Sequence, residues 1–280
     1  MPAAAVLLAL ASSAAWGIAD FSGGLVSRRL PAVSVSVVSQ AAGFVLLLLI
    51  FAGRGQGLDT GSFGIGVVAG IGGGLGLATF YRALALGTMS IVSPLVACGA
   101  VVPFTISIAT GERPAAIAAA GAVVALAGAV LASVEERRAV ASGRSRAVAL
   151  AALAALALGL FVYFLGLGSR EGDALSTLVG ARVGSLACLV CLGALLREPL
   201  KVPRPSVPVV AAIGLCDVSA NALFALASGR GLLSLVSVLG SLYPIVTVLL
   251  AYTFLHERVT RVQLAGIAIA LAGVVAVSAG

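Results

Sequence analysis

Four ionisable residues interrupt otherwise apolar runs of this 280-residue chain: Asp20, Arg82, Arg182 and Asp217. A charge at mid-depth in hydrocarbon costs at least ~2.5 kcal/mol on insertion scales, so such residues are kept where they face a wet cavity, a partner or a ligand. Asp20 and Arg82 fall toward the ends of their runs, where a long side chain can snorkel, whereas Arg182 and Asp217 stand near the middles of theirs. Asn221 follows Asp217 by four residues and shares its helix face, and Gln40 precedes Arg182 by 142 positions, a spacing that matters below. An arginine, a carboxylate and two amides can hold the charged ends of a small molecule or exchange a proton with it. The bland alternative is an internal ion pair that only fixes helix packing. Trp16, Tyr81, Tyr163 and Tyr243 are candidate wall residues, although aromatics in such helices also serve packing and interfacial belts.

Other chemistry finds little support. Cys98, Cys188, Cys191 and Cys216 lie inside apolar runs, and Cys188-x-x-Cys191 has no second pair or nearby histidine to complete a metal site. His256 is the single histidine, and no Gly-x-Ser-x-Gly accompanies it. The Gly-rich run 64–76 lacks the Gly-Lys-Ser/Thr of a phosphate loop, so close helix packing is its expected role. No catalytic residue, metal ligand or cofactor is expected.

The elements that must position the four charges follow from composition. Hydrophobic residues make up 61% of the chain and charged residues 10%, with a mean hydropathy of +1.18. That is too little polar surface to clothe a soluble globule, whose charged share is about 25%. Apolar runs cover 3–26, 33–53, 62–86, 90–110, 114–133, 146–168, 174–196, 207–228, 231–254 and 260–279. Each approaches the roughly 20 residues that carry an α-helix across a bilayer. The expectation is an all-α polytopic membrane protein with ten transmembrane helices, since the ten-residue alternation of a barrel is missing. The first run lacks a basic leader and reads as a retained helix rather than a cleaved signal.

The chain also repeats itself. "GERPAAIAAAGAVVALAG" (111–128) matches "HERVTRVQLAGIAIALAG" (256–273) at eight of eighteen positions, offset 145. "SIVS" (90–93) faces "SLVS" (234–237) at offset 144, and "GLVSRR" (24–29) faces "GLGSR" (166–170) at offset 142. Residues 1–133 are therefore read as one five-helix repeat, 134–145 as a linker and 146–280 as the second repeat. Because five is odd, the two repeats must enter the membrane from opposite sides, related by a two-fold axis in its plane. Within the motif, Gly121 and Gly128, like Gly266 and Gly273, lie two turns apart and form a face for close helix approach. Glu112 and Glu257 precede helix starts, where the dipole favours a carboxylate; capping is the first reading and gating the second. "TRVQ" (260–263) fits a capping box.

Ten helices, the Trp16-Gly17 pair, and an "ER" followed by a Gly-x6-Gly helix at the end of each half resemble the EamA-type family of the drug/metabolite transporter superfamily, over essentially the full length. The resemblance implies a central cavity between the halves and export of amino acids, other metabolites or drugs by a non-enzyme in a bacterial inner membrane. Expected partners are the lipid bilayer, a small-molecule substrate and protons; a homodimer is admitted, and the net charge of +7 needs no nucleic acid to explain it. The rivals are a passive facilitator or channel, a membrane-embedded enzyme and a structural or accessory membrane protein. Orientation is contested. Eleven basic residues in loops after odd-numbered spans against four after even-numbered ones place both termini outside the cytoplasm, while the resemblance implies cytoplasmic termini.

Overall fold

The structure is a computed structural model and describes residues 1–86, 89–132, 144–255 and 260–279. Among these, the chain is all helix and turn: α1 (Ala3–Ser27), α2 (Ala32–Gly53), α3 (Thr60–Leu86), α4 (Met89–Ala97), α5 (Val101–Ala109), α6 (Ala116–Ala132), α7 (Arg144–Glu171), α8 (Ala174–Leu196), α9 (Val207–Ser228), α10 (Leu233–Gly240), α11 (Tyr243–Leu255) and α12 (Arg261–Ala279). Seven helical stretches are long and apolar enough to cross a membrane. Three shorter apolar helices accompany them, Leu95–Ala109, Ala116–Leu131 and Arg261–Val277.

Two of the expected continuous helices are broken. A 3-10 turn at Cys98–Ala100 separates α4 from α5, and Ser241 and Leu242 separate α10 from α11. Proline is the physical reason in both places. Pro103 has no N–H to return to the carbonyl four residues back, at Gly99, and Pro244 has none for Gly240. At the repeat offset of 144, the first break falls on 242–244, within two residues of the second. Periodicity alone does not reveal such breaks, because the apolar run continues through them.

Glycine sets the helix contacts. A Cβ on Gly66 or Gly70 would collide with the α8 backbone at Thr177 and Ala181, and one on Gly184 would meet Val67 of α3. The Gly-rich stretch of α3 is thus a seam that brings its backbone against α8, as small residues do in bilayers. Its counterpart joins α2 to α9, where a Cβ on Gly43 would lie 3.0 Å from the Gly214 carbonyl. These two seams fix α8 against α3 and α2 against α9, and α2 packs in turn on α8.

The repeated motif packs against its own copy. A Cβ on Gly121 would stand 2.9 Å from the Gly273 carbonyl, and one on Gly128 would stand 2.8 Å from that of Gly266. α6 and α12 therefore run antiparallel. Gly121 is the repeat equivalent of Gly266, and Gly128 of Gly273, so exchanging the halves maps this contact onto itself. The capping box is present at the start of α12: Gln263 N–H donates to Thr260 Oγ1 at 3.2 Å, and Thr260 N–H donates to Gln263 Oε1 at 2.8 Å.

Candidate functional site

The two glycine seams and the packing of α2 on α8 bring Gln40 of α2, Arg182 of α8 and Asp217 of α9 into one network. The Arg182 guanidinium donates from Nη1 to Asp217 Oδ2 at 2.8 Å and also to Gln40 Oε1. Gln40 Nε2 donates to the same Asp217 oxygen at 3.1 Å, and the Ser185 hydroxyl donates to Gln40 Oε1 at 3.0 Å. Asn221, one turn beyond Asp217, reaches Oδ2 from Nδ2 at 3.4 Å and accepts the Trp16 indole N–H at 3.0 Å. The Trp16 ring packs on Phe224, centroid to centroid 5.5 Å. Arg182 is only 3% exposed, and its second amino group, Nη2, has no hydrogen-bond partner.

A cavity of about 90 Å³ opens beside this network. That is several times the ~10–15 Å³ a single water needs, so it admits a few waters or the polar head of a metabolite. Trp16, Asp20, Gln40, Arg182, Asp217 and Asn221 all line it, together with apolar groups such as Leu77, Phe161 and Leu165. Both helix breaks reach it, through Gly99 and Ala100 on one side and Gly240, Ser241 and Tyr243 on the other. The walls come from both repeats. Asp20 is 9% exposed and, among the described residues, forms no hydrogen bond or ion pair.

Six of the seven residues proposed from sequence thus converge, and the seventh does not. Arg82 sits exposed on α3 and does not line the cavity. Its place near the C-terminal end of α3 lets the guanidinium leave the apolar layer, which is why its charge needs no cavity. Tyr243 lines the cavity, while Tyr81 is buried outside its lining. The contributions of Gly99, Gly240, Ser237 and Ser241 were missed by sequence reasoning; the prolines four residues after Gly99 and Gly240 were the available signal.

Glu112 caps a helix other than its own. The sequence puts it just before α6, yet its carboxylate accepts the backbone N–H groups of Leu233 at 2.8 Å and Ser234 at 2.9 Å, at the N-terminus of α10 in the other repeat. Arg170, at the end of α7, pairs with the same carboxylate. Gly111 makes this reach feasible: its φ of 113° turns the chain at the end of α5 in a way a side chain would resist. Burial pushes the Glu112 carboxyl up, but the hydrogen bonds from Ser234, Leu233 and Arg170 outweigh it and hold the group below the usual glutamate range. Glu257 and His256 lie outside the described residues, as does nearly all of the 134–145 linker.

A second ionic cluster stands at the starts of α3 and α8. Asp173 caps α8 by accepting from Ser176 N–H at 2.8 Å and pairs with Arg54 at 2.7 Å. Asp59 accepts from Ser62 N–H at 2.9 Å, and each serine hydroxyl takes the backbone N–H of the other aspartate. The two helix starts are thereby laced together, which fixes the α3–α8 seam at one end.

Comparison with known proteins agrees with this architecture. The model described as "EamA-like transporter family" matches residues 3–134 and 145–279, one match per half. No curated protein matches the sequence. A solved structure described only as the crystal structure of a protein is similar over 99% of this chain and 96% of its own, with a TM-score of 0.75 at 18% identity, a likeness that speaks to the fold alone. With two family matches covering nearly every residue, the chain belongs to the EamA-like transporter family of the drug/metabolite transporter superfamily.

Proposed function

We propose that the protein is a secondary transporter that carries a small polar or amphipathic metabolite, amino-acid-like or drug-like, through the cavity by alternating access, and that it works as an exporter in a bacterial inner membrane. The observation that carries this reading is the buried Arg182 guanidinium, paired with Asp217, hydrogen-bonded to Gln40 and left with a partnerless Nη2, in a residue that lines a cavity with mixed polar and apolar walls. A donor of this kind gains a strong charge-assisted bond from a carboxylate or similar anionic group entering the cavity, while the apolar walls accept the rest of the molecule.

Ten spans in two inverted five-helix units fit this mechanism. The self-complementary α6–α12 contact supports a two-fold relation between the halves, and paired discontinuous helices at a shared cavity are the usual build of a carrier's midplane site. In the division of the chain we favour, 1–133 and 146–280 are the repeats and 134–145 joins them. No chemistry of a bond-making kind is assigned to the cavity. The test is counterflow: purified protein in proteoliposomes, loaded with one unlabelled metabolite at a time, should accumulate trace external label of that metabolite in a saturable way. Flux that rises linearly with concentration up to the solubility limit would favour a channel instead.

A further inference from the structure

Among the described residues, Asp20 is the carboxyl at the cavity that the network leaves out. Asp217 shares Arg182, Gln40 and Asn221, whereas Asp20 has no hydrogen bond or ion pair among the described residues. With one arginine against two carboxylates, the cavity is one positive charge short. A buried carboxylate in an apolar layer does not stay unbalanced; it takes a cation or a proton.

The surroundings of Asp20 say where that charge would sit. α1 meets the start of α11 closely, since a Cβ on Gly17 would lie 2.8 Å from the Tyr243 carbonyl. Asp20 stands three residues further along α1 and lines the cavity with Gly240, Ser241 and Tyr243 at the α10–α11 break. The Tyr243 hydroxyl is buried without a hydrogen-bond partner. Pro244 cannot donate to the Gly240 carbonyl, which is thereby left without its helical partner at the C-terminal end of α10, the negative end of that half-helix. Carboxylate, hydroxyl and the Gly240 carbonyl are all hard oxygen donors, suited to a small hard cation and to no soft metal. The titratable groups facing Asp20 are Asp217 and Cys216 of α9, Tyr81 of α3 and Tyr243 of α11.

We infer that Asp20 and the α10–α11 break form a site for one monovalent inorganic cation, Na⁺ or H⁺, beside the Arg182–Asp217 pair. Resting on the transporter reading, this site couples substrate movement to a cation gradient: the cation and the substrate share one cavity, so each alters the field the other feels.

Cation binding is measured without substrate, so its failure and the failure of the transport reading are separate results. Detergent-purified protein is titrated with NaCl against N-methyl-D-glucamine chloride at constant ionic strength, at pH 7.5 and 5.5, reading thermal unfolding. In parallel, Trp16 fluorescence is followed from pH 5 to 9 without Na⁺. If Na⁺ is the occupant, the wild type gains a saturable rise in midpoint that weakens at pH 5.5. If H⁺ is the occupant, Na⁺ has no effect beyond N-methyl-D-glucamine and the fluorescence shows one titration step. Either signal should vanish in Asp20→Asn, and Tyr243→Phe, which keeps the carboxylate, should weaken Na⁺ binding or displace the step. A signal that persists unchanged in Asp20→Asn, or the absence of both signals in a folded wild type, overturns the site.

Discussion

Glu112 of the first repeat holds the N-terminus of α10 in the second, its two oxygens accepting the backbone N–H groups of Leu233 and Ser234 while Arg170 closes the third side. A carboxylate placed this way satisfies donors that an isolated helix end leaves unpaired and meets the positive end of the dipole. Glu112→Gln keeps the shape and loses the charge, so we expect a loss of about 1 kcal/mol of stability, in the range of removed helix caps. Because the folded-state group is held below its ordinary value, its contribution is full above the usual glutamate range near about 4.3, declines as pH falls below that, and is gone under the lowered value. Thermal unfolding in detergent from pH 3 to 7 checks this. The difference in midpoint between wild type and Glu112→Gln should shrink on acidification.

The α6–α12 contact makes a second prediction. Gly121 and Gly273 approach so closely that a Cβ already collides with backbone, so Gly121→Leu or Gly273→Leu should reduce monodisperse yield several-fold. Gly64 on α3 has open space around its Cβ position, and Gly64→Leu should express as the wild type does. Size-exclusion profiles of the three variants decide the matter. Equal yields would mean the halves do not need this contact.

The all-helical class, the repeat and the charges inside the bundle were legible in the sequence because each is a one-dimensional signal: apolar length, self-similarity and rare ionisable residues; the number of helices was not, because apolar length runs on through the breaks at Cys98–Ala100 and at Ser241 and Leu242. The pairing of Arg182, Asp217, Gln40 and Asn221 was legible in part, since the repeat offset and the four-residue spacing place those residues at matching depth. What the linear signals do not carry is lateral placement. Asp20 and Arg82 looked alike by distance from their helix ends, yet α1 faces the cavity at Asp20 and α3 turns Arg82 outward. Likewise the proximity of Glu112 to α6 in sequence concealed its partner, which lies 121 positions away at Leu233.

Trp16 is the only tryptophan and donates to Asn221 at the cavity, so intrinsic fluorescence reports on its occupancy. A transported compound should shift or quench the emission with saturation, and Asn221→Leu, which removes the acceptor of the indole N–H, should weaken that binding by roughly 5- to 30-fold, as loss of a buried hydrogen-bond partner of about 1–2 kcal/mol implies. A compound that is carried in counterflow but leaves the emission untouched would place its site away from Trp16.

Asp173 supports the α3–α8 seam from outside the bilayer core, and the pH sign is the same as for Glu112. Burial pushes its carboxyl up, while hydrogen bonds from Ser176 and Arg54 and the charge of Arg54 bring it below the usual aspartate range. Asp173→Ala removes a cap and an ion pair together and should cost about 1–2 kcal/mol at neutral pH. Restoring the cap alone with Asp173→Asn should recover most of it, because the half-buried pair with Arg54 lies at the solvent-screened end of the helices and contributes less than the cap. Denaturation midpoints of the two variants separate cap from pair.

The most direct test of the cavity as the substrate site is counterflow by Arg182→Gln and Asp217→Asn proteoliposomes beside Arg82→Gln, with folding of each checked by size exclusion. Arg182→Gln removes the free Nη2 donor, and Asp217→Asn removes the group that orients it, so both should lose at least about tenfold in flux, the effect of one charge-assisted contact of about 1.5–3 kcal/mol. Arg82→Gln, outside the cavity, should carry substrate at the wild-type rate. Wild-type flux and pH profile in folded Arg182→Gln and Asp217→Asn, or a selective loss in Arg82→Gln, would contradict the assignment and make the Arg182–Asp217 pair a packing element.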